Sequence, residues 1–186
     1  MEEGFCDSRI NRAIIRLYSL HPDELDEDVV VNILALSLIA LPEPDFFTHL
    51  CMIPQALQDS ERVKGLMEVE TLLQAGKFGQ FWERTREADV AETLAAVTGF
   101  GDGVRKFMVS ALLITYSSIK TTALERSLGI EDAAAFAAAK GWKVEGTGEE
   151  ALVHFPANSE NQPKPTEIKQ AATFTDISHL MQVLGK

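Results

Sequence analysis

Apolar positions repeat at helical spacing through most of the first 120 residues, and one stretch is apolar nearly all round. From Val104 onward, Phe107, Met108, Ala111, Leu112, Thr115 and Ile119 mark one face of a 3.6-residue repeat. Val109, Leu113, Ile114 and Tyr116 cover much of the other side. A soluble helix that is apolar on both sides must be buried on both sides. The pattern therefore predicts a central helix over 102–119, set as a wall between two bodies. Asp102 is placed to cap it, with Gly99, Gly101 and Gly103 easing the turn into it, and Arg105 and Lys106 are its only charges after the start.

Ahead of this stretch the chain reads as short antiparallel helices joined by brief loops. A first helix over 7–20 sets Ile10, Ile14, Leu17 and Tyr18 against Arg9, Arg12 and Arg16, and His21-Pro22 ends it. Asp23, Glu24, Asp26, Glu27 and Asp28 lead into a helix over 29–41. They suit a solvated helix start that complements the macrodipole, and they lack the alternating ligands and mid-loop glycine of a calcium loop. After Pro42-Glu43-Pro44, Asp45 caps a helix carrying Phe46, Phe47, Leu50, Met52 and Ile53. A helix over 59–75 follows, stopped by Gly76. Phe78, Phe81 and Trp82 mark another, and Val90, Leu94 and Val97 a last short one. No fixed period appears, so the expected architecture is an irregular HEAT-like helical-repeat stack.

Beyond the central helix the pattern changes. Thr121/Thr122 cap a helix over 123–128 that Gly129 stops, and Glu131-Asp132 open another over 133–140 that Gly141 stops. Two alternating runs, 142–145 and 151–155, flank Gly146-Thr147-Gly148 as a hairpin. Helix, short helix, turn, helix, hairpin is the order of a winged-helix unit. A polar, proline-bearing linker over 158–165 leads to an amphipathic helix over 175–184, whose stripe is Phe174, Ile177, Leu180, Met181 and Leu184. The expected fold is mostly α. Its units are a helical-repeat domain (1–100), a winged-helix domain (101–157, sharing helix 102–119 with the repeats), and a linker with C-terminal helix (158–186).

Composition narrows the function. The chain has 186 residues, 46% hydrophobic, with net charge −11. The charge is uneven: residues 1–100 hold 8 Lys+Arg against 18 Asp+Glu, whereas residues 101–186 hold 9 against 10. An acidic first half repels phosphate backbones. The longest apolar run, 29–41, is broken by Asn32 and Ser37 and is too short to span a bilayer. Met1-Glu2-Glu3 lacks the positive start of a signal peptide, and Cys6 and Cys51 make no disulfide framework. A soluble, cytoplasmic protein with no membrane partner is expected.

Chemistry is sparse. His49 and Cys51 lie two apart, a spacing that does not share a helix face, so packing is expected of them. Gly99-x-Gly101-x-Gly103 lacks the lysine and hydroxyl of a phosphate loop and follows a helical segment, not a strand. His21, His49, His154 and His179 sit in different elements without a nucleophile or metal motif. The helix that would read DNA is EDAAAFAAAK, without the basic and amide side chains that reach base edges. The expectation is no enzyme, no cofactor, no metal and no sequence-specific DNA binding. What remains is surface: a terminal helix with five apolar positions needs a groove, its own or a partner's, and both arrangements are open.

Several stretches also occur in a familiar order: LPEPDFFTHLCMI at 41–53, Phe81-Trp82, TGFGDGVRKF at 98–107, and Gly141-Trp142 entering the hairpin. Together they resemble the subunit K family of eukaryotic translation initiation factor 3, within the wider group of PCI-domain proteins, from about Asn11 to Leu184. The resemblance implies a helical-repeat part joined to a winged helix. It also implies a non-catalytic subunit of the factor that binds the small ribosomal subunit, with subunits L and C as neighbours. Members of the group associate through winged-helix hairpins and bundle their C-terminal helices. On this chain that implies partner contacts at Trp142, Val144, Val153 and Phe155, and at Phe174, Ile177, Leu180, Met181 and Leu184. Family members carry further helical sequence before the position of Asn11. The alanine-rich run 133–139 is poor in polar residues, which favours the hairpin over that helix as the contact. PCI subunits of the proteasome lid or the COP9 signalosome share the architecture. A nucleic-acid-binding winged-helix regulator, of a different class, would show a basic patch and salt-dependent affinity.

Overall fold

The computed structural model describes residues 8–146, 148–163 and 174–184. Helix α1 (Ser8–Leu20) turns Asn11 and Ile15 inward and ends before Pro22, with a single 3₁₀ turn at Pro22–Glu24. The acidic run that follows contains the next cap. Asp26 accepts hydrogen bonds from the N–H groups of Asp28 (2.9 Å) and Val29 (3.4 Å). Helix α2 (Glu27–Ile39) therefore starts and stops two residues earlier than the hydrophobic pattern predicts. Helix α3 (Asp45–Met52) starts after Pro44; Asp45 sits in its first turn rather than at the cap, 3.8 Å from Arg12. With Ser19 donating to the Met52 carbonyl (3.2 Å), α1 and α3 lie side by side and parallel. The helix expected over 59–75 is α5 (Glu61–Gln74), preceded by a short α4 (Gln55–Gln58) that the pattern does not predict. The cap of α5 is Ser60, which accepts from the Val63 N–H at 3.4 Å. Helices α6 (Phe78–Arg84) and α7 (Ala88–Ala95) complete the first half.

The enclosed helix is α2. It buries Val30, Val31, Ile33, Leu34, Ala35, Ser37 and Leu38, and α1, α3, α5 and α7 all pack on it. Helix α8 (Phe100–Thr115) packs on it too, but corrects the expectation of a wall over 102–119 in three ways. It begins at Phe100 with Gly99 as cap in the left-handed region (φ 76°), so Asp102 lies inside the first turn. Only Phe100, Val104, Met108 and Leu112 are buried; Phe107, Val109, Ala111 and Leu113 are half-buried, while Ile114 and Tyr116 are exposed. It also stops at Thr115, because the chain leaves in extended form at Tyr116 to enter a strand.

That strand, β1 (Ser118–Lys120), joins a small antiparallel sheet. Helix α9 (Thr121–Leu128) follows at once, so Thr121 and Thr122 lie within it and Lys120 takes the cap position. Gly129 stops α9, and Asp132 caps α10 (Ala133–Ala139) by accepting from the Ala135 N–H at 2.9 Å. Strands β2 (Lys143–Glu145) and β3 (Leu152–His154) form the hairpin, with a 3₁₀ turn at Gly148–Glu150 between them. The strand order is β1-β3-β2, with Ile119 and Val144 both opposite Val153. Helix α11 (Phe174–Leu184) is the last described element.

The halves are joined by α8 and by α6, both of which pack on α9. Trp82 on α6 donates its indole N–H to the Ser127 carbonyl (3.0 Å), and the Arg105 guanidinium lies 5.0 Å over its ring. Gly129 (φ 61°) lies against that indole, where a Cβ would come within 2.8 Å of Trp82 Cδ2. At the α2–α8 contact, Gly103 leaves room for Ile39, and a Cβ would collide with the Ile39 side chain.

Candidate partner-binding surfaces

The register places the hairpin residues that the resemblance singles out on one face of the sheet, and burial divides them. Val153 and Phe155 face the core and are buried. Trp142 is half-buried, edge-on to Phe136 (centroids 5.9 Å apart) and to Phe155 (4.9 Å). Val144 lies directly opposite Val153 on that same face, but at the edge of the sheet it stays 38% exposed. It sits on β2, whose three residues are all exposed and which pairs with β3 along one edge. Glu145 and His154 meet across the strands at 3.0 Å, and Lys120 pairs with Glu150 at 2.9 Å. The hairpin thus turns Trp142, Val153 and Phe155 into the core and leaves Val144 partly open on its edge strand.

Helix α11 presents the second set. Phe174, Ile177, Leu180, Met181 and Leu184 are each more than half exposed, from 52% at Ile177 to 86% at Phe174, and Val183 adds to them. A strip of this size left open to water is the mark of an interaction surface.

The features that hinted at other chemistry take structural places. His49 is fully buried, with Nδ1 2.7 Å from Ser37 Oγ, while Cys51 on the same helix is exposed. Ser37 donates to the Ile33 carbonyl (2.7 Å) or to His49. His49 Nε2 is buried without a hydrogen-bond partner in good geometry among the described residues. Burial lowers the His49 pKa, against the opposing field of Asp45 and a backbone contact at Ser8, with the Arg12 charge adding to the lowering. In the acidic run, Asp26 caps α2 and Asp28 pairs with Arg62 at 2.6 Å. Gly101 and Gly103 lie within α8 rather than in a phosphate-binding loop. Among the described residues, no three His, Cys, Asp or Glu side chains converge on a metal site, and no helix is long and apolar enough to cross a membrane.

Two features had little signal in the pattern. Strand β1 is three residues long, next to a helix with which its apolar residue kept phase. Trp82 is the bridge between the halves, legible only as an aromatic in a short helix. A further tie within the first half is Arg84, which reaches Glu68 (2.8 Å), Glu87 (2.8 Å) and Asp89 (2.9 Å). Its hydrogen bonds to Asp89 and Glu68 raise its own pKa, and its bond to Asp89 holds that carboxyl below the usual range.

A helical stack joined to a small sheet and ending in an uncovered apolar helix is the form of a subunit made to assemble. Residues 24–167 match the CSN8/PSMD8/EIF3K family, and the chain belongs to it. Within that family it is similar to eukaryotic translation initiation factor 3 subunit K: 30% identical to the human protein over 183 residues, covering 97% of this chain and 81% of the relative. The subunit K of Drosophila erecta is 31% identical over 180 residues (94% and 78%), and that of Pyricularia oryzae strain Y34 29% over 190 residues (97% and 79%).

Proposed function

We propose that this chain is a non-catalytic scaffold subunit of eukaryotic translation initiation factor 3. In this reading it works in the cytoplasm, assembles with other PCI subunits, subunits L and C first among them, and supports binding to the small ribosomal subunit. The observation that carries the reading is near full-length similarity to proteins named as subunit K in human, insect and fungus. We read residues 1–100 as a HEAT-like repeat domain, 101–157 as a PCI-type winged helix sharing α8 with the repeats, and 158–186 as linker and C-terminal helix. The element order α8-β1-α9-α10-β2-β3 supports this division, since it is the order of a winged-helix unit.

The partner surfaces in this reading are the exposed β2 edge of the hairpin, with Val144 and the rim of Trp142, and the α11 stripe Phe174, Ile177, Leu180, Met181 and Leu184. Val153 and Phe155 contribute by holding the hairpin in shape. The test is a pull-down of the tagged chain from a cytosolic extract of the source organism at moderate salt, with partners identified by mass spectrometry. Recovery of initiation factor 3 subunits with small ribosomal proteins is the expected result. Recovery of proteasome-lid or signalosome subunits instead would keep the assembly role and overturn the pathway.

A further inference from the structure

In a chain of net charge −11, one groove is lined the other way. It lies between α8 and α10, holds about 480 Å³, and is floored by the half-buried Val109, Leu113 and Phe136. Lys106 on α8 and Lys140 just past α10 stand at its rim. Asp102, Lys106, Val109 and Leu113 follow one another at i, i+4, i+7 and i+11, so they share one face of α8. The rim's carboxylate, Asp102, is engaged by Arg105 at 2.8 Å, and Arg105 is itself held by the Leu128 carbonyl (3.0 Å) and the Trp82 ring. Lys106 and Lys140 have no carboxylate within ion-pair distance among the described residues; the Lys140 ammonium lies 5.9 Å over the Phe136 ring.

The groove therefore offers an apolar floor between two ammonium groups that no carboxylate among the described residues answers. From Asp102 to Leu113 it runs about 16 Å, the length of three helical turns. Asn158 and Asn161 mark its far end, both side-chain amides donating to the Leu113 carbonyl (2.9 and 3.1 Å).

We propose that this groove seats an acidic amphipathic helix of a partner protein. Apolar side chains at i, i+4 and i+7 of that helix rest on Val109, Leu113 and Phe136, and its flanking carboxylates meet Lys106 and Lys140. Charge complementarity selects this occupant. A phosphate backbone would meet two free ammonium groups on a strongly acidic molecule, too small a basic footprint to hold it. The assignment goes beyond subunit membership and holds whichever complex contains the chain.

A display library of random 14-residue peptides, selected on the full chain and on the Lys106→Glu/Lys140→Glu variant, tests it. Peptides enriched on the unmodified chain should carry Asp or Glu beside Leu, Ile or Phe at helical spacing. A synthesised winner should bind with Kd weakened about tenfold or more by the double charge reversal, and likewise by Phe136→Ala, with unchanged circular dichroism. No enrichment, or winners that bind the double variant equally well, would overturn the proposal. So would displacement of the winner by a single-stranded oligouridylate whose binding needs the same lysines, which would make the groove a phosphate surface.

Discussion

His49 is a fully buried titratable group beside Ser37, and its consequence for stability has a definite sign. Its folded pKa is lowered by burial, so the unfolded chain takes up a proton near pH 6.5 while the folded chain does not. The unfolded state then binds more protons, and stability falls as pH drops below about 6.5. Thermal denaturation should show a lower Tm at pH 5 than at pH 7, and His49→Leu should flatten that difference. Asp89 acts in a separate, more acidic window: its carboxyl is held low chiefly by Arg84, so that contribution is present above its unfolded pKa of about 4 and is lost as pH falls further. Gly103 offers a second residue-scale test. Gly→Ala inside a helix ordinarily stabilises by up to about 1 kcal/mol, but here the new methyl would meet Ile39. Gly103→Ala should instead cost about 1–3 kcal/mol in urea unfolding, through overpacking. The sequence showed His49 as a packing residue because its spacing to Cys51 ruled out a shared face. It could not show Gly103's role, which depends on α2 arriving from 64 positions away in the chain.

At the scale of elements, helix existence was legible and helix ends were not. The ends moved where two capping residues competed: Asp26 lies within a run of carboxylates, and Ser60 adjoins Asp59. The larger misreading concerned α8. Apolar residues on both sides implied burial on both sides, yet the structure covers one face and leaves Ile114 52% exposed. Periodicity records which residues are apolar, not which neighbours arrive to cover them, and α2 rather than α8 proved to be enclosed. The difference is measurable. Met108→Ala, at a fully buried site, should cost about 2–5 kcal/mol. Ile114→Ala should stay within about 0.5 kcal/mol of the unmodified chain. Strand β1 escaped notice because Ile119 is in phase with both the helix of α8 and the pairing with Val153; three residues are too few to separate the periods. The hairpin was legible because it has glycine turn chemistry and alternation in 142–155. The cap of α10 was legible as well, and Asp132→Ala should lower stability by about 1 kcal/mol in the same unfolding assay.

At the scale of the whole molecule, the chain is acidic, mostly helical among its described residues, and apolar in places that its own fold leaves uncovered. The stripe of α11 was legible from its spacing alone. Which surface covers it was not, because a helix on a linker has the same pattern whether it folds back or reaches outward. The structure leaves Leu180 63% exposed, as outward docking requires. Leu180→Asp is therefore the sharpest single substitution. It places a charge where a partner would bury it, at a cost of several kcal/mol to the interface, while touching nothing that the folded chain encloses. The measurement pairs recovery of initiation factor 3 subunits by the tagged chain with the Tm of the isolated chain, for the unmodified protein and for Leu180→Asp. Loss of the partner subunits with an unchanged Tm is the predicted result. Full recovery of those subunits by the variant, or a large fall in its Tm, would contradict assembly through α11.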